Sequence, residues 1–531
     1  MIRTVVVSLL LLGLTGCGGE AIEQPTASGL LVTTEHGQLK GMSSPFDEGI
    51  RVFRGIPYAK APVGELRWTS PQPVAPWNEI RSADTFSASC FQQRHKWNFV
   101  WRMEDFSVSE DCLYLNVWAP PSTEPLPVMV WFHGGSHTGG QGNSLIFDGT
   151  ALAARDVMVV TVNYRLGAFG FLAHPWFADI SDSGHAGNYG LMDKIAALEW
   201  VRGNASAFGG DPDNVTIFGQ SAGSSSVCSL MVSPKADGLF HKAIGQSASC
   251  VTPPSNEDAN GFLRAQKVVD SLNVPNLEAL RAADPDAIVK ATLATGWEDQ
   301  SRIVIDGDVL PEWPIVAYVE RRQHEVALLL GHLSDEGTEL FPKDESITDE
   351  SLPIILSSMV GESAEPLIAE YAAADRSAAD VFYAIATDAY MAFAMRRWAE
   401  YHSIAGHPTY YYYIDHAPPA FHLYMPDNPV LDWPGEPRSG GAYHSGDVAL
   451  VFGSHDKVGV DWTDDDRAVS AQIMAYWTNF AKSGSPNGDS LPEWPEFEID
   501  GYATQVINPA TSTLPGVKKR ALDLMATTQP L

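Results

Sequence analysis

At 531 residues, with 45% hydrophobic and 19% charged side chains, the chain is long enough to bury a large core and too apolar for intrinsic disorder. Its 65 acidic residues outnumber 34 basic ones, a formal net charge of −31, and so negative a surface repels phosphate backbones, which excludes nucleic acid as a partner. The 36 prolines and 45 glycines are spread along the chain, so one large, loop-rich domain is expected.

The N-terminus begins as an export signal. Arg3 precedes the apolar stretch Val5 to Leu14, which is too short to span a bilayer as a mature helix. The run Leu14-Thr15-Gly16-Cys17 then resembles a bacterial lipobox, in which Cys17 becomes the lipidated first residue. An exported lipoprotein held at the cell envelope (periplasm or outer membrane) is therefore expected, touching the membrane only through its lipid. Residues 18–28 read as a tether, 29–515 as the folded domain and 516–531 as a tail. Export also means an oxidising compartment. Without Cys17 the five cysteines reduce to Cys90, Cys112, Cys228 and Cys250. Of their three possible connectivities, the sequence-local pairs Cys90–Cys112 and Cys228–Cys250 are expected.

Along the domain, apolar runs alternate with helical patterns. Leu126 to Phe132, Val157 to Tyr164, Asn214 to Phe218, Ala243 to Gln246 and Val326 to Gly331 read as buried strands. Leu191, Ile195, Leu198 and Val201 recur at helical spacing within 190–201. The stretch from about 255 to 400 is more helical, with segments such as Ala259 to Leu272 apolar on one face. The expected fold is α/β: a large, mostly parallel central sheet with helices on both faces and a helical cap or insertion.

The strand at 214–218 runs directly into Gly219-Gln220-Ser221-Ala222-Gly223, and 224–232 reads as a helix. Strand, G-x-S-x-G and helix together form the context of a nucleophile elbow, in which a sharp turn lifts a serine hydroxyl above the sheet edge. The amide of Ala222 then stands at a helix start, where it can bind an oxyanion. A serine hydroxyl needs a base, and the base an orienting acid. His444, in the glycine-flanked loop 440–446, can be aimed at a site, whereas His402 and His407 lie in a surface-like context. For the acid, Asp335 and Glu336 both follow the strand at 326–331, and spacing does not separate them. The strand at 126–132 ends in His133-Gly134-Gly135-Ser136, a loop of the H-G-G type that supplies further backbone N–H groups to an oxyanion. The chain contains no C-x-x-C pair, so neither a zinc site nor a redox site is indicated.

These motifs resemble those of type-B carboxylesterases, the family that includes cholinesterases and para-nitrobenzyl esterases. The run from Phe208 to Gly223 is similar to the family's serine signature throughout, and Glu110 to Val117 to its second signature. Residues 53–59, 63–67 and 475–481 match further blocks, so the resemblance covers about 29 to 515. It implies an α/β-hydrolase fold and a serine carboxylesterase that works through an acyl-enzyme without metal or organic cofactor. Ser221 would be the nucleophile, Glu336 the acid, His444 the base, and Gly135, Ser136 and Ala222 the oxyanion donors. The pair Cys90–Cys112 resembles the family's first disulfide loop.

Three departures bear on the substrate. Ser136 stands where many members have a third glycine. Gln220 replaces the glutamate that cholinesterases carry before the nucleophile, which removes a negative charge and argues against choline esters. Trp97 and Trp101 lie near where those enzymes place a choline-stacking tryptophan, but in a shorter loop. Small or medium hydrophobic or aromatic esters are therefore expected. The alternatives are a lipase, a cholinesterase-like enzyme, or a non-catalytic surface binding protein of the same fold.

Overall fold

The computed structural model describes residues 29–528 apart from 94–99, 104–105, 252–257, 300–301, 339–343, 345, 373–375, 426–429 and 432–437. The export segment with Cys17, the tether and Trp97 therefore lie outside the described residues. Eleven strands form the main sheet. In chain order they are β1 Met42–Ser43, β2 Arg51–Pro57, β3 Tyr114–Ala119, β4 Leu126–Phe132, β5 Met158–Val162, β6 Gly210–Gln220, β7 Lys242–Gln246, β8 Ala327–Leu333, β9 Thr409–Ile414, β10 Ala503–Ile507 and β11 Ser512–Pro515. Their spatial order is β11-β10-β9-β8-β7-β6-β4-β5-β3-β2-β1. Neighbours from β5 through to β10 pair in parallel, and the strands at either edge pair antiparallel.

Parallel strands covered on both faces are apolar at consecutive positions. All five residues of β5 are buried, and β4 is buried at six of its seven positions, all but Pro127. Alternate side chains enter opposite cores. Val128, Val130 and Phe132 of β4 join one apolar cluster, whereas Met129 and Trp131 join the other. Helix Tyr189–Asn204 contributes Leu191, Leu198 and Val201 to the first core, and helix Asp464–Ser483 contributes Val469, Ile473 and Trp477 to the second.

Cys90–Cys112 and Cys228–Cys250 are both disulfide-bonded. The region from 255 to 400 forms helices Phe262–Leu272, Pro285–Ala294, Leu352–Val360, Ala364–Tyr371, Ala378–Thr387 and Phe393–Ile404. The stretch expected as a tail carries helix Lys519–Thr528, whose Ala521, Leu522 and Met525 are buried with Leu352, Leu356 and Leu367 in a third cluster. Its apolar residues recur at helical spacing beyond the last strand, and the 352–371 helices provide the surface that covers them.

Candidate active site

The carboxyl ends of the parallel strands lie along one edge of the sheet, where an open α/β sheet collects functional loops. β6 is buried from Val215 to Gln220, and the chain then reverses at Ser221 with φ 56° and ψ −126°, a strained conformation for a residue with a side chain. Two hydrogen bonds hold the turn. The Ser221 N–H donates to Gln246 O at the end of β7 (2.8 Å), and Ser225 N–H donates to Ser221 O (2.9 Å). Helix Ala222–Leu230 starts at once, two residues earlier than the apolar pattern indicates. Gly223 permits this close packing, since a Cβ there would stand 1.9 Å from Phe132 O.

β4 leads into the second loop. Gly135, Ser136 and His137 take φ of 102°, 54° and 59°, three successive residues in a region disfavoured for side chains. Gly135 O accepts from Thr138 N and Gly139 N (2.9 and 3.0 Å), and His137 O accepts from Gly167 N (2.7 Å). The His137 ring meets Ser226 Oγ at 3.0 Å, which ties the loop to the helix after Ser221. At the loop's base, Tyr164 donates to His133 O (2.7 Å) and stacks on the His133 ring with centroids 4.3 Å apart. Among the described residues, no hydrogen bond uses the N–H groups of Gly135, Ser136 or Ala222. These donors are left free at one edge of the sheet.

The third component is the loop carrying His444. Asp335 fixes it to the end of β8: its N–H donates to Ala442 O and its Oδ2 accepts from Ala442 N, both at 3.0 Å. Glu336 points the other way. Its Oε1 accepts from Leu333 N (2.8 Å), and its Oε2 lies 2.5 Å from His444 Nδ1. Glu336 is fully buried and His444 nearly so. The carboxylate next in sequence to Asp335 is thus the one that touches the imidazole, while Asp335 braces the loop. His444 Nε2 faces the Gln220 side-chain amide at 3.2 Å. Among the described residues, His444 bonds to Glu336 and Gln220 and not to Ser221.

Trp101 reaches this site. Its ring stands edge-on to His444 (centroids 5.6 Å apart, 79° between planes), and its Nε1–H donates to Ser445 Oγ (3.2 Å). Ser221, Gln220, Gly135, Ser136, His444 and Trp101 line one cavity of about 1080 Å³. His402 departs from the surface-like setting expected of it. It is fully buried, and its Nε2 meets Val326 O at 2.8 Å, because helix Phe393–Ile404 lays that face against the sheet.

Sequence reasoning missed Asp447. Its carboxylate is buried beside the His444 loop, with Oδ2 accepting from Gln246 Nε2 (2.7 Å) and Oδ1 without a partner among the described residues. Burial pushes this carboxyl up to about 7. A charged residue directly ahead of the apolar run 448–452 was the available signal. Among the described residues, no group of three or more His, Cys, Asp or Glu side chains is placed to hold a metal ion.

A mostly parallel sheet with a serine turn after a central strand and a His–Glu pair on later loops defines the α/β-hydrolase fold. Residues 28–523 match the Carboxylesterase family. The chain is 33% identical to para-nitrobenzyl esterase of Bacillus subtilis over 90% of this chain and 94% of that one. It is 34% identical to carboxylesterase 5A of Homo sapiens, over 90% and 85% of the two chains. Among solved structures, a carboxylesterase of Geobacillus stearothermophilus superposes with a TM-score of 0.79 at 31% identity, covering 93% of this chain and all of that one. The chain therefore belongs to the carboxylesterase family and is a carboxylic-ester hydrolase.

Proposed function

We propose that Ser221 is the nucleophile of a serine carboxylesterase in which His444 is the base and Glu336 its orienting acid. The observation that carries this reading is the strained Ser221 turn at the wall of a cavity that also exposes His444, with Glu336 directly behind the imidazole. Nε2 of His444 exchanges its Gln220 contact for the Ser221 hydroxyl and takes that proton as Oγ attacks the ester carbonyl. The N–H groups of Gly135, Ser136 and Ala222 hold the oxyanion. His444 returns the proton to the departing alcohol. Water then attacks the acyl-enzyme by the same route, releasing the acid and restoring Ser221. The apolar side chains of Trp101, Met103, Phe147 and Leu423 in the cavity favour small or medium hydrophobic or aromatic esters.

The test is Ser221→Ala together with mass spectrometry after fluorophosphonate treatment. Wild type should hydrolyse 4-nitrophenyl butyrate and gain one phosphonyl adduct on Ser221. The variant should do neither while keeping its circular dichroism spectrum. Near-normal turnover by the variant, or an adduct elsewhere, overturns the assignment.

We also propose export and lipidation at Cys17, supported by the Leu14-Thr15-Gly16-Cys17 run and by two disulfides suited to an oxidising compartment. Metabolic labelling with radioactive palmitate should mark the wild type and not Cys17→Ala; equal labelling of both excludes it.

A further inference from the structure

The cavity also carries charge in its lining. Asp286 and Lys290 from helix Pro285–Ala294, Glu298 and Asp299 from the following turn, and Arg302 all line it. Asp286, Lys290 and Asp299 are exposed, whereas Arg302 is half-buried. Two residues on, Val304 N–H donates to Asn188 Oδ1 (3.1 Å) and Val304 O accepts from Asn188 Nδ2 (2.7 Å), and Asn188 is fully buried.

Arg302 forms no ion pair among the described residues. Arg67, Arg165 and Arg396, also withdrawn from solvent, each close on a carboxylate: Glu110, Asp193 and Glu400 respectively. Among the described residues no carboxylate pairs with Arg302, and its Nε is buried without a hydrogen-bond partner. The neighbouring Glu298 does not fill the place. Its Oε1 accepts from Thr292 Oγ1 at 3.1 Å, and burial raises its pKa against the pull of Arg302, with which it forms no ion pair among the described residues. Burial lowers the Arg302 pKa even though Glu298, Tyr390 and Asp299 act to raise it, as expected of a cation that has lost water and has acidic neighbours but no carboxylate in contact.

A guanidinium in this state gains most from a carboxylate, which it can meet with two parallel N–H donors. The negative net charge of the protein does not cancel this. Exposed charges are screened beyond about 8 Å at physiological ionic strength, while a contact inside the cavity wall is screened far less.

We propose that Arg302 is an anion subsite for a carboxylate carried by the ester substrate, so that half-esters of dicarboxylic acids are preferred over their neutral analogues. The proposal rests on the esterase reading above and adds a substrate class to it.

The experiment compares kcat/KM for mono-4-nitrophenyl half-esters of adipic, suberic and sebacic acids with their methyl-capped counterparts. It uses the full chain and its Arg302→Gln and Arg302→Lys variants. For at least one chain length, wild type should prefer the half-ester tenfold or more. In R302Q the half-ester to methyl-ester ratio should fall at least tenfold, and R302K should keep part of it. A wild-type ratio near one at every length, or a ratio unchanged in R302Q, overturns the subsite. Turnover of the methyl esters keeps the two readings distinct: if they are hydrolysed, only the subsite has failed, whereas if nothing is hydrolysed both fall.

Discussion

Oε2 of Glu336 stands 2.5 Å from Nδ1 of His444, and the carboxylate is fully buried behind the imidazole. In the mechanism proposed above, that carboxylate fixes the imidazole tautomer and stabilises the imidazolium that forms. Glu336→Gln keeps an acceptor oxygen but removes the charge, so kcat for 4-nitrophenyl butyrate should fall by about 10³-fold or more. Asp335→Asn should keep most of the turnover and mainly lower the thermal midpoint, because Asp335 braces Ala442 and does not touch His444. Similar kcat losses in both variants would count against this division of roles.

Asp447 should leave a mark on stability against pH. Its folded pKa, about 7, lies above the ordinary 3.8, so the folded state holds this proton more tightly than the unfolded chain does. Between about pH 4 and pH 7 the unfolded chain releases the proton and the folded one does not, so this group makes stability fall as pH rises. The full effect is on the order of 4 kcal/mol at most. Asp447→Asn should therefore gain stability relative to wild type at pH 8 and not at pH 4, read from urea midpoints at both. A difference that does not change with pH would rule this out.

Trp101 touches both the loop and the ring of His444. Trp101→Phe removes the hydrogen bond to Ser445 while keeping an aromatic ring and should cost little, whereas Trp101→Ala should lower kcat about tenfold, equivalent to about 1.4 kcal/mol. If Trp101 serves to position His444, that loss should be the same for 4-nitrophenyl acetate and octanoate. A loss confined to KM for the longer ester would make Trp101 a substrate contact instead.

The two disulfides each close a separation of 22 residues. Loop-closure entropy alone assigns about 3 kcal/mol to each. Replacing Cys90 and Cys112 by serine should lower stability by more than the same change at Cys228 and Cys250, since both cysteines of the first pair are buried whereas Cys250 is only partly so, and two hydroxyls instead of one are then left in an apolar core. Equal losses in calorimetry would show that chain entropy decides both.

The sequence by itself determined what depends on neighbours along the chain. Continuous apolar runs mark strands buried on both faces, and a strand entering Gly-Gln-Ser-Ala-Gly marks a sharp turn with a serine at its tip. Both are local consequences of burial and backbone sterics. Spacing did not separate Asp335 from Glu336, and only the family resemblance pointed to the glutamate, because adjacent residues after a strand differ in direction and not in spacing. Packing decided that. Asp335 is drawn to the Ala442 backbone, which leaves Glu336 facing His444 across 108 residues of chain. Gln220 beside His444, Asp447 beside Gln246 and Arg302 in the cavity lining, without an ion pair among the described residues, are also long-range facts. Each depends on which groups are excluded from water together, and only the closed tertiary structure fixes that.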